Sequence, residues 1–278
     1  MPLRWQQGEQ KASRAPEAQK QPQQMNVTYK KPADKVSEYV QEILVIENYH
    51  VTIPFCLPLF ANGTPTLLFH TAPGQFKESS GHLTLFGQTI FPDKLEIKDN
   101  FTLIAYFLKP YSLISLFGIS ARELTDKPVD FNLVSKRTGL QEQLLNSVTA
   151  SQMISVIDNY LCSLMQKNSR DNPLIKYAVG KILNCTTTQV LSEIQKDLFV
   201  TERTLQRMFE KNIGVSPNQF RKIHQFNRAF RQLNNRQFQN LGNIAYDNGY
   251  ADQSHYIRAF KEFTNITPKE YLHLGMEG

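Results

Sequence analysis

The sequence predicts an α+β chain of two domains: a β-sandwich- or barrel-like N-terminal domain with helices, and an all-helical C-terminal domain. Three observations predict this fold class. Short β-prone runs separated by turn signals fill residues 34–110, and an apolar stripe at helical spacing follows within 139–168. One helical pattern then occurs twice after residue 200. A duplication of this kind predicts two helix-turn-helix units joined by a long helix.

Residues 1–24 are rich in Gln, Lys, Ala and Pro and nearly empty of aliphatic side chains. A segment of this composition cannot bury enough apolar surface to offset the entropy of ordering, so we expect a disordered leader. Met25 follows directly and is an alternative start of translation to Met1. The 278-residue chain is otherwise long enough for two ordinary domains.

The N-terminal domain is expected to be an antiparallel sandwich or barrel. Its β-prone runs are 42–46, 66–71, 82–91 and 101–109. Turn signals lie between them, among them Asn62-Gly63, Pro73-Gly74 and Asp99-Asn100. Residues 112–125 are expected to form a helix or a pair of turns.

Residues 139–168 are predicted to be helical and close the β-rich domain. Their apolar stripe consists of Met153, Ile154, Ile157, Tyr160, Leu161, Leu164 and Met165. This stripe has two interpretations: it packs against its own β domain, or it forms the seam of a homodimer. Asp171-Asn172-Pro173 then marks a break and a new helix start. We therefore expect a β-rich sensor or dimerisation domain over 25–168 and a second domain over 169–278.

The duplicated pattern spans residues 201–220 and 252–271. At an offset of 51 positions the matching pairs are Arg207/Arg258, Phe209/Phe260, Val215/Ile266, Ser216/Thr267, Pro217/Pro268 and Phe220/Tyr271. Thr201 and Asp252 are good N-caps for the repeated helix, because a short side-chain oxygen can accept a hydrogen bond from a free amide. Each copy closes with a capping box that starts a further helix.

A short amphipathic run and a tight turn precede each repeated helix. The expected units are therefore a first helix-turn-helix at about 189–209, a connecting helix at about 216–234 and a second helix-turn-helix at about 241–262. The connecting helix spans roughly 28 Å, which is comparable with the roughly 34 Å of one turn of B-DNA.

The exposed faces of the repeated helices carry the chemistry of DNA recognition. Arg and Gln present donor and acceptor sets that match guanine and adenine edges in the major groove. Lys211 and Lys261 are expected where a duplex backbone passes. The net charge of +6 is also uneven, since residues 201–236 hold eight Lys or Arg against two acidic side chains. A locally basic half favours phosphate neutralisation by one part of the molecule.

The C-terminal sequence resembles the DNA-binding domain of the AraC/XylS family of bacterial transcription regulators. The motifs that carry the resemblance are TERTLQRMF and IGVSP in the first unit and NIAYDNGYADQSHYIRAFKEFTNITPKEY in the second. The resemblance implies base contacts in two successive major grooves by Arg203, Gln206 and Arg207, and by Gln253, Ser254, Ile257 and Arg258. The first unit departs from the family pattern at Gln195, where a small Ala is usual, and at Phe199, where Gly is common.

The N-terminal half is similar, more weakly, to the sensor-like domain found ahead of some AraC-type DNA-binding domains. The carriers are LPLFANGTPTLLFH (57–70), LFGQT (85–89) and FLKPYSLISLFGISARELTDKPVDF (107–131). This resemblance implies a layout and names no ligand.

Signatures of catalysis and of membrane insertion are missing from the sequence. There is no GxSxG, HExxH, P-loop or Rossmann motif. His50, His70 and His82 lie in the β-rich part, but their spacing does not put two of them on one strand face. We therefore expect no enzyme, no metal and no cofactor. Three widely separated cysteines and the lack of a long apolar run favour a cytoplasmic protein.

Together these features predict a sequence-specific DNA-binding transcription regulator whose partner is double-stranded promoter DNA. The N-terminal domain is expected to control it through a small-molecule effector or through a homodimer, and RNA polymerase is a further partner that the family allows. The alternative is a small-molecule-binding or metal-dependent β-barrel protein with a vestigial helical module. The two alternatives differ in whether the purified protein shifts promoter DNA or holds a metal.

Overall fold

The computed structural model of the protein describes residues 25–76, 79–135, 139–168, 172–185 and 189–274. The leader expected at 1–24 lies outside the described residues. The described chain has an N-terminal antiparallel β-sheet domain and a C-terminal helical domain, so the predicted fold class is confirmed.

The N-terminal domain is built on an antiparallel sheet. Its strands are β1 (Met25–Lys30), β2 (Val40–Asn48), β3 (Phe55–Leu59), β4 (Thr66–Phe76), β5 (Ser79–Phe86), β6 (Asp93–Ile97), β7 (Phe101–Leu108) and β8 (Val129–Asp130). The main path of pairing runs β1-β2-β7-β4-β5-β8. The β3–β6 ribbon joins this path where β6 pairs with β4 around Gly74.

The central strands are buried on both faces, which explains their nearly continuous apolar sequence. In β7, Ile104 and Tyr106 point into a core shared with the helices of the domain. Leu103 and Ala105 alternate with them and join a second core, which includes residues of β3 and β6. The sheet is therefore the middle layer of the domain.

The sequence predicts the four longest central strands but misses β1, β3, β6 and β8. The expected strand at 82–91 ends at Phe86. The next residue, Gly87, lies against Leu124, where a Cβ atom would be 2.5 Å from the carbonyl oxygen. The prediction of a turn at Pro73-Gly74 is wrong. Strand β4 continues through it with a register shift between Phe69 and Gly74, so the Pro-Gly pair marks a bulge.

The expected turns at 112–125 are present as a π-helical turn at Leu113–Phe117 and a 3₁₀ turn at Ala121–Leu124. Three α-helices follow: α1 (Phe131–Val134), α2 (Leu140–Leu145) and α3 (Ala150–Asn168). The helix expected over 139–168 is thus divided. The Gln152 side chain accepts hydrogen bonds from the Val148 and Thr149 amides and starts α3 afresh.

The apolar stripe of α3 packs against its own domain. Met153, Ile157 and Leu161 are at most 2% exposed and belong to the core on the helix side of the sheet. Below them the Tyr106 hydroxyl donates to Asp158 Oδ1 at 2.9 Å, and burial raises the pKa of Asp158. The first interpretation of the stripe is therefore confirmed, and homodimerisation stays a prediction without support from these residues.

Seven helices make up the described part of the C-terminal domain. They are α4 (Pro173–Asn184), α5 (Val190–Asp197), α6 (Glu202–Asn212), α7 (Pro217–Asn234), α8 (Leu241–Asp247), α9 (Gln253–Thr264) and α10 (Pro268–Leu274). The expected caps are in place: the Ser216 side chain accepts from the Gln219 amide, and Thr267 and Glu270 form a reciprocal capping box.

The helical domain contains two apolar cores, one for each predicted helix-turn-helix unit. Phe220, at the start of α7, packs into the first core with α4, α5 and α6. The rest of α7, including Phe226 and Phe230, packs into the second with α8, α9 and α10. Helix α7 therefore belongs to both units and fixes one against the other.

We expect the unfolding stability to fall on acidification because His70 is held neutral. This side chain is 2% exposed, its Nδ1 lies 2.6 Å from the Ala72 carbonyl oxygen, and burial lowers its pKa from 6.5 to about 4. The unfolded chain takes up a proton near pH 6.5 and the folded chain does not. Stability from this group is present above pH 6.5 and is lost as the pH falls towards 4, by about 1–2 kcal/mol at pH 5.

Urea unfolding of the wild type and of His70→Gln at pH 7.5, 6 and 5 measures this effect. The variant is expected to lose less stability on acidification than the wild type, whatever its starting stability. His50→Gln, at an exposed position, is the matched control and should keep the wild-type slope. Equal slopes for the wild type and His70→Gln would contradict the assignment.

Candidate nucleic-acid interface

Helix α6 presents a polar face above a buried apolar side. The Thr201 side chain accepts from the Thr204 amide at 3.2 Å and caps the helix start. Leu205 and Phe209 are at most 1% exposed and hold the helix on its core. The four predicted DNA-contacting residues on this helix are all exposed: Arg203, Gln206, Arg207 and Lys211. The structure therefore brings them together on the solvent side.

Helix α9 repeats this arrangement. Asp252 caps it by accepting from the His255 amide at 2.7 Å, while Tyr256 and Phe260 are fully buried. The predicted residues that are exposed on this helix are Gln253, Ser254, Arg258 and Lys261. Ile257 is only half-buried, so part of its side chain stays accessible beside them.

Gln206 and Glu210 are linked on the α6 face. The Gln206 Nε2 donates to Glu210 Oε1 at 3.0 Å, and Glu210 Oε2 lies 3.9 Å from a guanidinium nitrogen of Arg122 in the N-terminal domain. An exposed ion pair at this distance contributes little stability. The Gln206 amide is therefore oriented in the unbound protein and remains accessible to another partner.

The two helix-turn-helix turns share one backbone conformation but not one residue type. Gly249 has a φ of 72°, and Phe199 at the corresponding turn has a φ of 53°. Left-handed backbone strains any residue with a Cβ, and a bulky aromatic side chain is rare there. The Phe199 side chain is also 95% exposed, so packing does not compensate for the strain. The family departure noted at Phe199 is thus a strained position.

Gln225 joins the connecting helix to the second unit. Its side-chain nitrogen donates to the carbonyl oxygens of Asn248 and Gly249, both at 2.9 Å, and the residue is 7% exposed. These carbonyls end α8 and have no partner within that helix. One buried side chain of α7 therefore fixes the turn that leads into α9.

A second polar link lies about two helical turns further along α7, at Gln232. Gln232 donates to Asp247 Oδ2 at 2.7 Å and accepts from the Asn248 side chain at 2.7 Å. On the side of the first unit, an Arg228 guanidinium nitrogen donates to the Cys185 carbonyl at 2.9 Å. Helix α7 thus holds both units through side-chain hydrogen bonds as well as apolar packing.

The N-terminal domain docks on the corner between α6 and α7. Thr125 Oγ1 donates to the Gly214 carbonyl at 2.9 Å. A Cβ atom at Gly214, whose φ is 95°, would lie 2.6 Å from Thr125 Oγ1 and 2.8 Å from the Ala121 carbonyl oxygen. Glycine is therefore required here both by its backbone and by the close approach. Ile90, from the loop after β5, packs against both helical cores.

A cavity of about 190 Å³ lies between the sheet and α7. Its sheet side is mostly apolar and includes Leu44, Leu68 and Ala105. Asn227 and Arg231 of α7 line the opposite side. The Asn227 Nδ2 is buried without a hydrogen-bond partner, and burial lowers the pKa of Arg231. Two donors thus line a mostly apolar space, and the Glu42 carboxylate lines it as well.

Two of the histidines weighed as metal ligands, His70 and His82, have side-chain partners in the protein. His82 Nδ1 lies 2.9 Å from the His70 carbonyl, and the His70 and His82 ring centroids are 6.1 Å apart. Within the described ranges no group of three or more His, Cys, Asp or Glu side chains could hold a metal ion. In that same part of the chain no helix is both long enough and apolar enough to cross a bilayer.

Comparison with known proteins matches the two domains separately. Residues 194–273 match the family described as Helix-turn-helix domain, and residues 29–130 match a Domain of unknown function (DUF6597). An uncharacterized HTH-type transcriptional regulator of Haemophilus influenzae is 24% identical over 147 residues, which cover 48% of this chain and 49% of the relative. The match thus spans about half the length of that curated relative.

Solved structures of ToxT from Vibrio cholerae are similar to this chain at low sequence identity. One at 1.65 Å resolution is 12% identical with a TM-score of 0.47, and covers 80% of this chain and 98% of its own. A second, with bound unsaturated fatty acid, is 15% identical with a TM-score of 0.47, and covers 84% and 95%.

The duplicated capped helices, their shared connecting helix and the family match define the class of the C-terminal half. It is a double helix-turn-helix domain. More particularly, residues 194–273 form an AraC-type helix-turn-helix domain, as the sequence resemblance predicts.

Replacing Gln225 by Leu is expected to lower the free energy of unfolding by about 1–3 kcal/mol. The substitution removes this donor from the buried Asn248 carbonyl and from the part-buried contact at Gly249, and an unsatisfied buried group costs roughly that amount. Urea denaturation followed by circular dichroism measures the change. Gln239→Leu, the same substitution at an exposed site, serves as control. A loss of stability no larger than that of the control would contradict a stabilising role for the Gln225 hydrogen bonds.

Proposed function

We propose that the protein is a sequence-specific DNA-binding transcription regulator that inserts α6 and α9 into successive major grooves. The observation that carries the proposal is the paired exposure of Arg207 and Arg258 on capped helices whose opposite sides are buried. The match of the domain to a helix-turn-helix family supports a regulator rather than an enzyme.

The length of α7 supports the use of two grooves. Its 18 residues span roughly 27 Å, against roughly 34 Å for one turn of B-DNA. Because α7 packs into both cores, it acts as a rigid spacer between the recognition helices. Helix α7 is thus about 7 Å shorter than one turn of B-DNA. The positions of the contacting side chains along α6 and α9, or bending of the duplex, make up this difference.

Within this proposal the exposed residues divide by chemistry. Arg203, Gln206 and Arg207 contact base edges in one groove, and Arg258 with its neighbours Gln253, Ser254 and Ile257 does so in the next. Arg forms two hydrogen bonds with guanine, and the apolar Ile257 suits a thymine methyl group. Lys211 and Lys261 contact phosphates and carry no sequence preference.

Arg207→Ala is expected to cost about 1–3 kcal/mol of binding to a selected operator and to relax the preference at one base pair, because one bidentate contact is lost. Fluorescence anisotropy on operator variants measures both effects. Lys211→Ala is the matched control on the same helix face. It should weaken operator and random duplex alike and lower the salt dependence of log Kd by about 0.9. An equal loss on both duplexes for Arg207→Ala would rule out its role in base contact.

We further propose that the cavity between the sheet and α7 binds an effector. Its apolar wall favours an aliphatic or aromatic body. The Arg231 guanidinium and the unpartnered Asn227 Nδ2 favour an anionic group or another acceptor on the α7 side, while the Glu42 carboxylate in the same lining disfavours an anion on its own side. Because α7 spaces the recognition helices, an occupant that contacts α7 couples binding to DNA affinity. A second copy of the chain and RNA polymerase are further partners within this proposal.

Octanoate is expected to raise the Tm of the protein more than octanol or octylamine of the same chain length. Ligand binding to the folded state adds about 2.7 kcal/mol at a hundred times Kd, and only the carboxylate pairs with Arg231. Thermal denaturation with each probe measures the order, and Arg231→Met should abolish the advantage of octanoate. The same shift for octanoate and octylamine would remove the anionic effector from the proposal.

A further inference from the structure

The N-terminal domain places a cationic side chain beside the first recognition helix. Arg122 lies in the 3₁₀ turn Ala121–Leu124, its side chain is 76% exposed, and Nη1 is 3.9 Å from Glu210 Oε2. The sequence motifs and the family matches assign no role to this residue.

The position of this turn relative to α6 is fixed by residues on either side of Arg122. The neighbouring Thr125 donates to the Gly214 carbonyl, and Ser120 Oγ donates to the Lys211 carbonyl at 3.5 Å. The two segments also approach closely at Gly214, where there is no space for a Cβ atom. Arg122 is therefore held next to α6 by contacts that do not involve its own side chain.

Arg122 shares an open cleft of about 680 Å³ with residues of α6. Arg207 and Lys211 line the same cleft, together with the polar side chains of Ser120 and Thr204. Three cations therefore face one carboxylate, that of Glu210, which also accepts from Gln206. The cleft has an excess of positive charge and several hydrogen-bond donors.

This composition suits a phosphate of a duplex bound by α6. A helix in the major groove is flanked by the sugar-phosphate backbones, which basic side chains and hydroxyls contact. The planar guanidinium binds phosphate through two donors, and one distant contact with Glu210 leaves most of its five donors available. The exposed ion pair is also too weak to withhold Arg122 from phosphate.

We propose that Arg122 binds a phosphate of the DNA contacted by α6, so that the DNA interface includes the N-terminal domain. The inference rests on the proposed function. It makes the N-terminal domain a direct contributor to DNA affinity and not only a site of control.

Arg122→Ala in the full chain is expected to weaken binding roughly three- to tenfold at about 0.15 M salt and to lower the salt slope by about 0.9. The loss should be the same on a selected operator and on a random duplex of equal length. Arg122→Lys should keep the slope, and Glu123→Ala, at an exposed position in the same turn, should not weaken binding. Fluorescence anisotropy over a salt series measures all four proteins.

Unchanged or tighter binding by Arg122→Ala, with an unchanged slope, would overturn the inference, since Arg122 would then act only on Glu210. Arg122→Gln gives a second test with a side chain of similar length, and a Tm equal to that of the wild type confirms that each variant is folded. Failure of the proposed function itself has a different signature: the wild type would not distinguish operator from random duplex.

Discussion

The packing of one helix organises the structure. Helix α7 contributes Phe220 to the core of the first helix-turn-helix unit and Phe226 and Phe230 to the core of the second. Hydrogen bonds from Gln225 and Arg228 fix the orientation of α7 relative to each unit, because hydrogen bonds depend on angle and dispersion does not. The spacing of the exposed faces of α6 and α9 is therefore set by how α7 packs into the two cores.

The N-terminal domain is attached to this same helix and its corner. Gly63 sits against Ile223, Ile90 contacts both helical cores, and Thr125 hydrogen-bonds to Gly214. The cavity near Arg231 lies inside this attachment. The two domains are therefore in direct contact at α7 and at the corner that precedes it.

Local chemistry made most of the helical half predictable from sequence. The N-caps at Thr201, Asp252 and Ser216 and the capping box at Thr267 mark helix starts through residues close together in the chain. The exposed polar faces of α6 and α9 follow from the 3.6-residue period alone. In the sheet domain, strand β4 continues through Pro73-Gly74 although this pair predicts a turn, because pairing with neighbouring strands decides where a strand ends.

Features that depend on contacts between distant segments could not be predicted. Nothing in the local sequence distinguishes Arg122 or Gln225 from other basic residues and glutamines. Their roles become visible only in the fold, which places Arg122 beside Glu210 and Gln225 beside Gly249. Phe199 shows a further consequence of the fold. Its strained backbone and solvent-facing ring make the first helix-turn-helix turn intrinsically weaker than the Gly249 turn. The duplicated units are therefore unequal, and local opening of the protein, seen as amide hydrogen exchange, should begin in the first of them.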